Sequence, residues 1–262
     1  MTVEVPVPRF SLVIPAYNEM RRLPPYLERA RRYLELIFAN DYEIIVVDDG
    51  SRDGLFEVLG EMAAGWGQLR PIRQPFNRGK GAAVRVGMLA AVGEFVLFTD
   101  ADGATPIEEE VKLRECLSRG ADVAIGSRRI PGRSEGVRRS CFRSSFGHSF
   151  SWLVRSLLGI PFHDTQCGFK MFKLDTGKML FDKSIESGYV FDIHIIVLAS
   201  RLGCRIAEVP IRWAEVPGSK VRIVSDSFQM FLGLCRIWLS LHAARPLTNM
   251  RDSLRSPPHH PL

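Results

Sequence analysis

The chain has 262 residues, 46% of them hydrophobic and 24% charged, which allows one sizeable core and excludes a fibrous or wholly disordered protein. Its formal net charge of +6 suits phosphates, anionic lipid or nucleic acid, and nucleic acid recedes because no zinc-finger, RNP or helix-turn-helix spelling occurs. The five cysteines are odd in number and form no Cys-x-x-Cys pair, which argues for reduced thiols and against disulfides or zinc. Residues 1–9 lack the apolar centre of a signal peptide, and no uncharged apolar run reaches the ~18 residues of a membrane span. The expectation is a soluble or peripheral protein.

The first half alternates short apolar runs with amphipathic stretches. Residues 10–14 read as a buried strand ending at Pro15, and 24–39 as a helix carrying Leu27, Ala30, Leu34 and Ile37. A second strand over 43–47 runs into Asp48-Asp49-Gly50-Ser51, and 55–64 is helical. A weaker strand over 69–73 precedes a helix over 79–91, then a strand over 95–98, a helix over 107–118 and a strand over 121–126. Strands separated by helices predict βαβ units: an α/β fold with a mainly parallel sheet. No Gly-x-Gly-x-x-Gly follows the first strand, and Gly79-Lys80-Gly81 lacks the spacing and the Ser/Thr of a P-loop.

Beyond Ser127 the composition shifts. Arg128, Arg129, Arg133, Arg138, Arg139 and Arg143 crowd a short segment, and Phe146, Phe150, Leu153, Val154, Leu157 and Leu158 then recur at helical spacing. A second apolar helix is predicted over 227–244, with a narrow polar stripe of Gln229, Arg236 and Ser240. Core packing accounts for either helix alone; beside the arginines, an interfacial placement on anionic headgroups fits as well. The tail from 251 to 262, rich in Pro and His, reads as disordered.

The chemistry collects at strand ends. Asp100-Ala101-Asp102 closes the run Phe95–Thr99, and two carboxylates delivered to the C-terminal edge of a buried strand suit Mg²⁺ or Mn²⁺ with a bound phosphate. Ile14-Pro15-Ala16-Tyr17-Asn18-Glu19, Val46-Val47-Asp48-Asp49-Gly50-Ser51 and Ile125-Gly126-Ser127-Arg128 stand at three other ends. Together these four motifs resemble the family 2 glycosyltransferases of the GT-A fold, over residues 10–229. Asp164-Thr165-Gln166-Cys167-Gly168-Phe169-Lys170 and Pro217-Gly218-Ser219-Lys220 narrow the likeness to the polyprenyl-phosphate branch, with the dolichyl-phosphate β-glucosyltransferases first and the mannosyltransferases next.

The resemblance implies a Rossmann-like sheet with helices on both faces and C-terminal amphipathic interfacial helices. It places the donor nucleotide against Pro15, Ala16, Tyr17, Glu19, Val47, Asp49, Lys80, Asp100 and Ala101, with Tyr17 stacking, Glu19 on the ribose and Asp49 on the base. Asp100 and Asp102 would hold the metal; the position where close relatives add a Gln ligand is Ala104. Asp102, Arg128 and Lys220 are the catalytic candidates, and Arg128, Arg143, Asp164 and Gln166 face the acceptor phosphate, with a base role for Asp164 left open. Asp48 is read as a turn former.

A sugar hydroxyl acceptor needs a general base, and processive relatives carry Gln-x-x-Arg-Trp near it. Here Arg212-Trp213 is present but Val209 replaces the Gln, so that motif is broken. A lipid phosphate, with a second pKa near ~6, is its own nucleophile. The expectation is therefore an inverting, metal-dependent transfer of a hexose to a polyprenyl phosphate at the cytoplasmic membrane face, from UDP-glucose first and GDP-mannose as the alternative. The rivals are a family 2 enzyme with a soluble acceptor and a binding module without turnover. The expected organisation is a catalytic domain over 1–225, with an amphipathic insertion near 134–162, then an apolar helix over 226–250, membrane-associated or packed on the domain.

Overall fold

A computed structural model describes residues 8–130, 154, 157–216 and 223–243. The sheet is built from β1 (Phe10–Ala16), β2 (Tyr42–Asp48), β3 (Leu69–Arg73), β4 (Phe95–Thr99), β5 (Val123–Ser127), β6 (Phe169–Lys173) and β7 (Ile206–Pro210), in the spatial order β3-β2-β1-β4-β6-β5-β7. Every strand pair is parallel except those made by β6, which runs antiparallel between β4 and β5. Every residue of β1, β4 and β5 is buried, as strands covered on both faces require. β3 lies at the edge, where Pro71 costs no ladder hydrogen bond to a further strand.

Alternation along the strands divides the core in two. Phe10, Leu12, Ile14 and Ala16 face one side and Val13 the other. The first side is covered by α1 (Leu23–Phe38), α2 (Leu55–Ala64) and α4 (Glu110–Ser118, entered through a 3₁₀ turn at Ile107–Glu109). In α1, Pro24 and Pro25 occupy the first turn, where a missing N–H is harmless, and Leu23, Tyr26, Leu27, Ala30, Leu34 and Phe38 form the buried stripe. Phe38 stacks on Phe10 at 4.9 Å. The second side is covered by α3 (Lys80–Ala90), α5 (Leu174–Lys183), α6 (Phe191–Arg201) and α7 (Ile223–Ala243).

The predicted α/β sheet with helices on both faces is what the chain forms. Sequence reading left α5, α6, β6 and β7 unassigned. The C-terminal helix begins at Ile223, four residues before the predicted start. It packs on the second core through Leu234 and Ile237, while Phe231, Leu232, Trp238 and Leu239 remain exposed. Among the described residues no helix is long and apolar enough to cross a membrane. The arginines from Arg133 to Arg143, most of the 134–162 insertion, Lys220 and the 251–262 tail lie outside the described residues.

Candidate active site

After β1, the chain leaves for β2 on one side and, after β3, returns to β4 on the other. The two strands that carry Tyr17 and Asp100 at their C-terminal ends are therefore neighbours across a topological switch point. A cleft of about 330 Å³ opens there. Pro15, Ala16, Tyr17, Glu19, Asp49, Lys80, Asp100, Ala101 and Asp102 all line it. Val47 does not; its side chain lies in the core beneath α3.

Main-chain and polar contacts fix the loops at this edge. The Asn18 N–H donates to Ser51 Oγ at 2.8 Å and the Arg52 N–H to Asn18 Oδ1 at 2.8 Å, so the β1 and β2 loops hold each other. Asn18 adopts φ 53°, a left-handed value that asparagine tolerates. The Ser51 N–H donates to Asp48 Oδ1 at 3.1 Å, the turn role expected of Asp48. Asp49 is buried and accepts from Gln74 Nε2 (2.9 Å), the Arg78 N–H (2.8 Å) and the Gly79 N–H (2.9 Å). Burial raises its pKa, while those two backbone donors oppose the rise. Three of its roughly four acceptor positions are filled, leaving one on Oδ2. Gly79, at φ 97°, makes the turn that brings Lys80 to the first position of α3.

Asp100 Oδ1 pairs with Lys80 Nζ at 2.6 Å, and Asp102 Oδ1 accepts the Ala104 N–H at 3.0 Å. Burial, then the charge of Asp100, raises the Asp102 pKa. Two crowded carboxylates facing a cleft form a donor set for a hard divalent cation that keeps water and phosphate as its other ligands. Among the described residues no group of three or more His, Cys, Asp or Glu is arranged to hold a metal ion. Ala104 supplies main-chain contacts only, accepting from the Ala214 N–H at 2.9 Å.

The antiparallel β6 explains how Asp164 to Gly168 reaches this edge: its N-terminal residue Phe169 pairs with Thr99, the last residue of β4. The Asp100 N–H donates to the Gly168 carbonyl at 3.1 Å, and a Cβ at Gly168 would overlap the Asp100 carboxylate. Only glycine lets that carboxylate lie against the main chain.

Arg128, directly after β5, is gripped by Asp164: Nε to Oδ2 at 2.7 Å, Nη2 to Oδ1 at 2.9 Å and its own N–H to Oδ2 at 3.0 Å. The guanidinium also lies 5.5 Å from the Trp213 ring, so the tryptophan of the broken motif supports the arginine. Burial works against charge on Asp164, but Arg128 outweighs it and holds the carboxyl far below the usual range. Such a carboxylate is committed to orientation and cannot act as a base without breaking the pair. Glu208 on β7 accepts the N–H groups of His163 and Asp164 at 2.9 Å each, bracing the segment from behind. Burial pushes the neighbouring Cys167 thiol up to about 12 and makes it inert. Arg128, Asp164 and Gln166 do not line the donor cleft; Arg143 and Lys220 lie outside the described residues.

Sequence reasoning missed Arg22, Tyr189 and Gln229 on the cleft wall. Arg22 donates to Glu19 through Nε and Nη2 (2.6 and 2.5 Å), a pairing legible in the three-residue spacing alone. Tyr189 and Gln229 come from after β6, with no local signal that marks them.

A switch-point cleft of this kind, with a carboxylate pair on the neighbouring strand, is the GT-A architecture, and the chain is a glycosyltransferase. It belongs to glycosyltransferase family 2: residues 11–177 match the family model described as "Glycosyl transferase family 2". It is similar to the dolichyl-phosphate β-glucosyltransferase of Drosophila melanogaster, 39% identical over 241 residues covering 87% of this chain and 74% of that one. The enzyme of the same name from Homo sapiens is 36% identical over 228 residues, covering 82% and 70%. Among solved structures, glucosyl-3-phosphoglycerate synthase from Mycobacterium tuberculosis in complex with uridine diphosphate has a TM-score of 0.63 at 22% identity, covering 89% of this chain and 79% of that one. A mannosyltransferase from Pyrobaculum calidifontis in complex with GDP-Man and Mn²⁺ has a TM-score of 0.61 at 20% identity, covering 88% and 65%. These two likenesses concern the fold.

Proposed function

We propose that the chain transfers glucose from UDP-glucose to a polyprenyl or dolichyl phosphate, with inversion, at the cytoplasmic face of a membrane. The observation that carries this reading is the commitment of Asp164 to Arg128. Asp164, the carboxylate for which the sequence left a base role open, is spent on three hydrogen bonds, which suits an acceptor that needs no base. A phosphate monoester, largely a dianion near pH 7, is such a nucleophile.

In this reading Asp100 and Asp102 hold Mg²⁺ or Mn²⁺, which would neutralise the nucleoside diphosphate as it departs. Lys80 begins α3, where its own charge and the helix N-terminus both favour the diphosphate. Tyr17 offers a face to the base, Asp49 its remaining lone pair, and Glu19 a carboxylate to the ribose. Arg128, fixed by Asp164 and Trp213, orients phosphate with Arg143 and Gln166, and Lys220 adds a further cation as charge develops. The exposed residues Phe231, Leu232, Trp238 and Leu239 form one stripe of α7, an apolar face suited to the acyl boundary of the bilayer that holds the acceptor. On this reading α7 is both packed on the catalytic unit and in contact with lipid.

The test is a donor panel of UDP-glucose, UDP-GlcNAc and GDP-mannose against a short-chain polyprenyl phosphate, with 3-phosphoglycerate as a soluble acceptor, read by product mass. The expected product is the glucosyl lipid phosphate, formed with Mg²⁺ or Mn²⁺ and lost in EDTA. Asp102→Ala should lower the rate on the order of 10²–10³-fold or more with unchanged melting. Transfer to phosphoglycerate in preference to lipid, or full activity of that variant at saturating Mn²⁺, overturns the reading.

A further inference from the structure

Lys170 is the one lysine among the fully buried large side chains of the described residues, on β6 two residues after the glycine that meets Asp100. Its ammonium is held on two sides. Nζ donates to the Cys167 carbonyl at 2.6 Å and to Asp192 Oδ1 at 2.5 Å. The Phe98 ring lies 5.4 Å away. Asp192 is in the first turn of α6, where the helix dipole favours a negative charge.

The contacts of Lys170 lead in one direction. Its grip on the Cys167 carbonyl fixes the peptide that precedes Gly168. The Gly168 carbonyl accepts from the Asp100 N–H, and the bare Gly168 Cα forms the surface against which the Asp100 carboxylate rests. Phe98, beneath the same ammonium, is two residues before Asp100 on β4. Lys80, which pairs with Asp100 Oδ1, also feels the charge of Asp192 and lies 5.9 Å from the Phe191 ring. The α6 N-terminus, the 167–168 peptide and the Asp100 carboxylate thus form one braced unit.

Fold stability alone is a poor account of such a pair. Taking both charges out of water costs several kcal/mol per ion, and an apolar pair of similar volume often serves stability equally well. Positioning is the better account, because a carboxylate ligand must hold its place to within about 0.5 Å.

We propose that Lys170, neutralised by Asp192, is a positioning residue for the metal-ligating carboxylate of Asp100. The proposal rests on the reading of Asp100 and Asp102 as the divalent-cation site. Lys170 touches neither substrate nor metal; it sets the peptide against which the ligand is seated. Loss of a supporting partner of this kind typically weakens metal binding 10–100-fold.

The test is Mn²⁺ binding by EPR titration of the full chain with saturating UDP, alongside UDP binding without metal and thermal melting. Lys170→Met combined with Asp192→Asn removes both charges and leaves neither ion unpaired; Lys170→Gln with Asp192→Asn serves if the first fails to fold. The expected result is an Mn²⁺ dissociation constant about tenfold or more above wild type, with metal-free UDP affinity unchanged and melting within a few degrees. A purely structural pair would leave Mn²⁺ affinity alone, whatever its effect on melting. An Mn²⁺ affinity within twofold of wild type in a folded variant overturns the proposal while leaving the metal site standing. A wild-type protein that binds no Mn²⁺ with UDP overturns the site itself, and the proposal with it.

Discussion

Replacing Asp164 by Asn separates orientation from proton transfer. The wild-type carboxylate is 1% exposed and accepts three hydrogen bonds from Arg128, two from the guanidinium and one from the main chain. Asparagine retains one acceptor oxygen but turns an amide N–H₂ toward a guanidinium that can only donate. Breaking a buried ion pair in this way costs about 3–5 kcal/mol. Arg128 keeps 19% of its side chain exposed, and water there relieves part of the loss, so the lower end, about 3 kcal/mol, is expected. For a chain of this size each kcal/mol moves the melting temperature by roughly 2–4 °C, giving a fall of about 6–12 °C at pH 7 by differential scanning fluorimetry. The pH dependence carries a sign. The Asp164 pKa is depressed on folding, so its stabilisation is complete above the unfolded value near ~3.9 and fades as pH drops toward the folded value. The gap between wild type and Asp164→Asn should stay constant from about pH 8 to about 5 and close below about 4. A gap under 2 °C at pH 7, or one that persists in acid, refutes the reasoning.

Two further outcomes follow from contacts described above. Gly168→Ala drives a methyl group into the Asp100 carboxylate, and, if Asp100 serves as proposed, its displacement by ~1 Å should cost about 10² in kcat with modest loss of stability; near-normal turnover would show that the contact is slack. Phe231→Gln with Leu239→Gln removes two side chains, 52% and 59% exposed, from the apolar stripe of α7. At about 1 kcal/mol of lost burial each, binding to floated anionic vesicles should weaken tenfold or more while UDP binding is unchanged; equal flotation of variant and wild type would remove α7 from the membrane contact.

The first half of the molecule was legible because its strands are buried runs and its helices are amphipathic. α2 spans 55–64 and β3 spans 69–73, both as predicted. The same signals fail after β5. α6 is buried almost all round, including Asp192 and His194, so no polar stripe marks it as a helix. In β6 alternation predicts an outward-facing lysine between Phe169 and Met171, yet the strand is covered on both faces and buries it, and β7 is mostly half-buried. At the site, strand-end motifs placed Asp49, Asp100 and Asp102 on one cleft because local sequence and sheet topology agree there. Motif spelling could not foresee that Asp164 spends its carboxylate on Arg128, or that Trp213 stacks on that guanidinium, because both pairings join segments far apart in the chain. Gln229 reaches the cleft from a helix whose approach depends on packing through Leu234 and Ile237.

The reversed strand β6 has a mechanical consequence. A hinge between the Asp100 segment and the Gly168 segment would need a seam of side chains that can slide. Here Asp100 and Gly168 face each other and bond as a continuation of the antiparallel ladder, one step beyond the Thr99–Phe169 pair. The two residues are therefore tied through main chain and not through side-chain packing. Any movement that parted Asp100 from Gly168 would first have to break this main-chain hydrogen bond, so the sheet itself sets Gly168 against Asp100.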